Sequence, residues 1–147
     1  MKSFDPTRDI EGSAVILDSG GEWPSFHDAL VYTLKFWQGD MRPDDNVWVG
    51  PVIEASIELA AIESPFVVDF RFHDCDYINK SGFSYENMIY EMSFSFEERG
   101  FSADGVTPLP PFICVEFENG YGPSLLSFKC FRAEVVNRRP APNPPCF

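Results

Sequence analysis

Apolar and polar residues alternate one by one through six separate windows of this chain, and a period of two admits little besides β-structure. In Ala29–Trp37, Leu30, Tyr32, Leu34 and Phe36 fall on one face. Val52–Ala61 sets Ile53, Ala55, Ile57 and Leu59 against Glu54, Ser56 and Glu58. Phe66–His73 sets Phe66, Val68, Phe70 and Phe72 against Asp69, Arg71 and His73. Met88–Glu97 sets Met88, Tyr90, Met92, Phe94 and Phe96 against Glu91, Ser93, Ser95 and Glu97. Phe112–Glu118 sets Ile113, Val115 and Phe117 against Cys114, Glu116 and Glu118. Leu125–Val136 opens with Leu126, Phe128 and Cys130 on one face and loses its phase at Phe131, where a bulge would fit.

Half-buried strands punctuated by Gly, Pro and Asn predict antiparallel sheet with one solvated face. A short helix is expected only at Ser13–Leu17, ahead of Gly20-Gly21, and a turn at Ser84–Asn87. The expected fold is therefore mainly β, a single antiparallel β-sandwich or strongly curved sheet with little helix, over residues 1–136. From Asn137 the chain changes character. Pro140, Pro142, Pro144 and Pro145 suit neither helix nor central strand, so 137–147 is expected as an extended Pro-rich tail. At 147 residues one domain is the default, and 15 Phe supply ample apolar material for its core.

Lys and Arg number 11 against 23 Asp and Glu, a net charge of −12. Such a surface repels phosphate backbones and anionic head groups, so neither nucleic acid nor membrane is an expected partner. It attracts a basic protein and speeds its approach, although plain solubility accounts for the same acidity. The apolar run Ala14–Leu17 is too short for a signal core, and no stretch of about 18 apolar residues occurs, so a cytoplasmic location is expected. Cys75, Cys114, Cys130 and Cys146 form no C-x-x-C pair and read as free thiols.

Candidate chemistry is sparse. His27-Asp28 and His73-Asp74 resemble the His-Asp pairs of metal-dependent phosphohydrolases, but both lie at strand ends and no third histidine exists. His73-Asp74-Cys75-Asp76 holds nitrogen, sulfur and oxygen donors that an extended chain sends to alternate faces, so no metal is expected there. Glu54 and Glu58 share a face but stand about 13 Å apart at strand rise, too wide for a glycosidase pair. With no nucleophile elbow and no phosphate-cradling glycine loop, neither a catalytic residue nor a cofactor is expected, and the chain does not read as an enzyme. The segment between Trp37 and Trp48 holds Asp40, Arg42, Asp44 and Asp45. Trp48, Arg42 and these carboxylates suit an interface with a basic partner; a plain hairpin loop whose tryptophans cover the core edge is the alternative.

Glu22-Trp23-Pro24-Ser25-Phe26-His27-Asp28-Ala29 runs straight into the first predicted strand. It resembles the opening motif of the immunity protein 50 family, bacterial proteins proposed to neutralise toxins of polymorphic toxin systems. Phe83–Ile89 resembles that family's middle segment and Phe128–Val136 its closing strand, so the resemblance brackets Trp23 to Val136. The Asp40–Trp48 segment and the Pro-rich end have no counterpart in it. The resemblance implies an all-β, non-enzymatic immunity-type domain that binds and neutralises a cognate protein toxin, and the acidity fits a basic one such as a nuclease. Within the motif, Pro24 fixes φ and biases Trp23 to extended backbone. Trp23 and Phe26 are then expected to staple the strand entry to the core, while His27 and Asp28 satisfy each other or nearby backbone. The alternative is a small-molecule or peptide-binding β domain with a pocket lined by the surplus phenylalanines.

Overall fold

A computed structural model of the protein describes residues 2–39, 50–59, 64–81 and 87–142. Strands β1 (Leu30–Trp37), β2 (Val52–Glu58), β3 (Phe66–His73) and β8 (Arg132–Pro140) form one sheet in the order β1-β2-β3-β8. Strands β4 (Asp76–Lys80), β5 (Glu91–Glu97), β6 (Phe112–Glu118) and β7 (Leu126–Cys130) form the second in the order β4-β7-β6-β5. All the strand pairs are antiparallel. Among the described residues helix is confined to α1 (Pro6–Asp9), capped by the Asp5 carboxylate on the Thr7 N–H, and a 3-10 turn at Ser13–Ile16. The mainly β sandwich with little helix is the architecture that forms.

The two sheets share a corner. Only Asp74 and Cys75 separate β3 from β4, and only Phe131 separates β7 from β8. Because β3 pairs with β8 and β4 with β7, two neighbouring strands leave one sheet for the other at one place. Asp74 takes a left-handed φ of 56°, and the Phe131 N–H still donates to His73 O at 3.1 Å across the bend. The phase lost at Phe131 therefore marks a change of sheet rather than a bulge within one strand. The single strand expected over Leu125–Val136 is two, and β4, exposed along its length, is a strand that alternation did not announce.

Two expected faces are also revised. Met88 and Tyr90 are 55% and 53% exposed while Ile89 between them is buried, because the chain bends at Tyr90 before β5 begins. Ile89 is drawn inward by its N–H bond to Ala29 O at 2.9 Å. In β1 the register shifts between Val31 and Thr33, which turns Val31 into the core and frees Tyr32 to donate its hydroxyl to Glu58 at 3.0 Å. Beyond Val136, where a tail was expected to begin, β8 continues to Pro140, which pairs with Phe66. Proline is tolerated there because β8 lies at the edge of its sheet.

The interior is aromatic. Phe26, Phe70, Phe72 and Phe117 are fully buried among Ile53, Ile57, Val115 and Leu126, each contributing about 1.5–3 kcal/mol through burial. Phe26 meets Phe70 at 5.7 Å between ring centroids, and Phe72 meets Phe128 at 4.9 Å. The opposite face of the β1-β2-β3-β8 sheet is a lattice of opposite charges. Arg71 bonds Glu54 at 2.8 Å and approaches Glu134 at 3.6 Å, while Asp69 joins Ser56 and Arg139. Along the outer edge of β8, Glu11 adds a short parallel bridge, giving its N–H to Ala133 O and accepting from Val135 N. Among the described residues no helix is long and apolar enough to cross a membrane.

Candidate functional site

The Trp23–Ala29 segment divides its side chains between interior and surface. Trp23 packs on Phe26, Phe70 and Phe94 with centroids 5.6, 6.2 and 6.1 Å away, so it pins the strand entry against both sheets. Glu91, at the start of β5, holds the segment from the other side. Its Oε1 accepts the Phe26 N–H at 2.9 Å, and its Oε2 lies 3.4 Å from the Ser25 hydroxyl. A turn follows, closed by the Ala29 N–H on Phe26 O at 3.0 Å, with Asp28 at φ 60°. Asp tolerates that left-handed position better than most residues. The turn lifts His27 and Asp28 out of the core; His27 Nδ1 and Asp28 Oδ2 are 3.2 Å apart and both side chains are about half exposed.

Two further segments join them. The Tyr90 ring stands edge-on to His27 at 4.9 Å, and its N–H bonds Glu118 O at 2.7 Å, which draws the β6–β7 connection alongside. In that connection the Tyr121 N–H bonds the Asn119 side chain at 3.1 Å, and Gly120 lies so close to the Tyr90 ring that an added Cβ would sit 3.1 Å from it. Tyr121 is fully exposed and Met88 half exposed. His27, Asp28, Met88, Tyr90, Asn119 and Tyr121 line an open hollow of about 590 Å³. Tyr, Asn, Gly and His carried on loops at one end of a sandwich is the composition of protein-recognition surfaces, where rigid aromatics supply contact area and amides supply hydrogen bonds.

Aromatic side chains are also exposed on the outer face of the second sheet, but cations already cover them. Arg99 lies over Phe112 and Phe131 at 5.1 and 4.6 Å, and Lys129 over Tyr77 at 4.6 Å. Lys129 is further bound to Glu97, whose carboxyl that contact holds below its ordinary range.

The residues singled out in the sequence fare differently. Trp23, Pro24, Phe26, His27 and Asp28 meet as described. Asp40, Arg42, Asp44, Asp45 and Trp48 lie outside the described residues, while Trp37 stands exposed at the end of β1. His73, Asp74, Cys75 and Asp76 go to separate tasks. His73 faces Glu134 at 3.3 Å, Asp74 accepts the Gly50 N–H at 2.9 Å, and Asp76 accepts the Tyr77 N–H at 2.8 Å. Cys75 is buried, and burial pushes its thiol up to about 12. No group of three His, Cys, Asp or Glu side chains among the described residues is placed to hold a metal ion. Phe26, expected to staple the strand entry, is in the core, as are Phe72, Phe117 and Phe128. Glu91, Tyr90, Asn119 and Tyr121 were not anticipated. Their one local signal is the Asn119-Gly120-Tyr121-Gly122-Pro123 run, a turn sequence with a single large aromatic at its tip.

Fold and site together define a two-sheet β-sandwich that presents aromatic and amide side chains from three segments at one end. No protein-family model, curated protein or solved structure matches the chain.

Proposed function

We propose that the protein acts by binding rather than by catalysis, as an immunity-type inhibitor that grips a cognate protein toxin through the His27–Tyr90–Tyr121 end. The observation that carries this reading is the exposure of Met88, Tyr90 and Tyr121 together at that end. Large apolar and aromatic side chains left in water at one place on a folded surface mark interaction sites. The resemblance of Trp23–Ala29 to the immunity protein 50 motif supports the biological setting, since that motif builds the same end. The −12 charge favours a basic toxin, a nuclease among the candidates, and would hasten its approach. The acidic Asp40–Trp48 segment is proposed as a second, steering contribution.

The test is co-expression with the product of the neighbouring toxin gene, scoring growth and co-purification. Tyr90→Ala and Tyr121→Ala are expected to weaken capture by about tenfold or more each, as interface aromatics do, with thermal stability retained for Tyr121→Ala. Phe101→Ala, exposed on the distant β5–β6 hairpin, is the control and should bind as the parent. End variants that bind like the parent would overturn the assignment. A second reading, a small-molecule or peptide-binding domain, draws on the same hollow, whose volume lies in the range of ligand sites. A toxin that fails to compete with a ligand bound there would favour that reading.

A further inference from the structure

We infer that the hollow between His27, Tyr90 and Tyr121 receives a cationic side chain of the partner, specifically the guanidinium of an arginine. This rests on the partner-binding reading and names its chemistry. Among the described residues the walls are a Tyr ring, a second Tyr on the β6–β7 loop, an imidazole and the Met88 thioether, and the lining includes one carboxylate, Asp28. Aromatic faces attract cations through their quadrupole. On the second sheet the same chemistry is already satisfied internally, by Arg99 and Lys129 over Tyr77, Phe112 and Phe131. Among the described residues no Lys or Arg lines the hollow.

Asp28 supplies the ionic half. Its Oδ2 lies beside His27 Nδ1, and the side chain is about half exposed, which leaves the carboxylate accessible to a donor from outside. The turn with Asp28 at φ 60° places that residue among those lining the hollow. Guanidinium is preferred to ammonium because a planar fork can stack on Tyr while donating sideways to a carboxylate and to the Asn119 amide oxygen. The charge balance of the whole chain, −12, favours the same sign of ligand over longer range.

The experiment uses the intact protein and small probes, with aromatic proton–carbon spectra as the readout. N-acetyl-arginine amide is expected to shift the His27, Tyr90 and Tyr121 ring signals saturably at millimolar concentration, the weak end of the affinity scale appropriate to one side chain. Asp28→Asn, which keeps the left-handed turn, should weaken that binding by about fivefold, as loss of one charge-assisted contact does. N-acetyl-norleucine amide shifting the same rings equally, or Asp28→Asn binding arginine like the parent, would overturn the inference. N-acetyl-lysine amide binding as tightly as the arginine probe would overturn the choice of guanidinium. The two readings fail separately. If Tyr121→Ala loses the toxin while the arginine probe moves none of the rings, the inhibitor reading stands and this one falls. If the probe binds and Tyr121→Ala keeps the toxin, the hollow is a cation site but not the toxin interface, and both the assignment of the grip to this end and the partner arginine fall.

Discussion

Gly12→Ala tests how the N-terminal segment is fastened to the outer edge of β8. Gly12 has φ 74°, and a Cβ built on it would lie 2.5 Å from the Val135 carbonyl oxygen, a backbone atom with no free rotor to yield. The left-handed conformation alone costs an L-residue about 1–2 kcal/mol. Relieving the clash means backing the segment away from β8, which opens the Glu11 N–H bond to Ala133 O and the Val135 N–H bond to Glu11 O. Those two bonds are worth about 1 kcal/mol each, so the expected total is about 3–4 kcal/mol. Gly21 is the control. Its φ is 78° with nothing within 4 Å of an added Cβ, so Gly21→Ala should lose only the conformational part, about 1–2 kcal/mol. Urea midpoints at unchanged m-value measure both. A Gly12→Ala variant no less stable than Gly21→Ala would refute the close approach and the edge bridge built on it.

Phe26→Ala and Trp23→Ala should each cost about 3–5 kcal/mol in the same assay, Trp23 toward the lower end because it is only partly buried, whereas fully exposed Tyr121→Ala should stay within about 0.5 kcal/mol. Burial alone would raise the Asp69 carboxyl, but hydrogen bonds from Arg139 and Ser56 outweigh it and hold it below its ordinary 3.8. That depression lends stability above 3.8 that disappears as pH falls through the folded-state value, so Asp69→Asn should flatten the acid limb of a stability–pH curve. The Cys75 thiol, at about 12, should resist iodoacetamide near neutral pH until urea unfolds the chain, as peptide mass spectrometry would read. If a basic toxin is the partner, association should slow about tenfold between low and physiological salt, and replacing Asp40, Asp44 and Asp45 by Asn should slow it at low salt in the same way.

Two strands with unbroken alternation were legible to the residue, whereas Val52–Ala61 was read longer than the strand Val52–Glu58. Phe66–His73 and Phe112–Glu118 were read from the sequence as they stand, because each is a central strand with paired neighbours on both sides. Alternation misled where a backbone event shifted its phase, at the Val31–Thr33 irregularity and at the Tyr90 bend. β4 left no trace because neither of its faces is buried, so no pattern separates one face from the other. Of the candidate site, the Trp23–Asp28 half was visible as a motif. The other half was not, since Glu91, Tyr90 and Tyr121 reach it only after β5 and β6 have paired. Single-window reading carries no information about such distant meetings.

The shared corner has a consequence for how the molecule folds. Its closing pairs, His73 with Arg132 and Asp76 with Lys129, lie far apart in the chain, and each pair belongs to a different sheet. Neither sheet can close its β3–β8 or β4–β7 ladder without carrying the other strand of the corner into register. The sheets therefore have no route to forming one after the other as independent units. A single slow, cooperative folding phase is the expected kinetic behaviour for so non-local a topology. Amides in β3 and β7 should then exchange with solvent only through global unfolding, with one common free energy for both sheets.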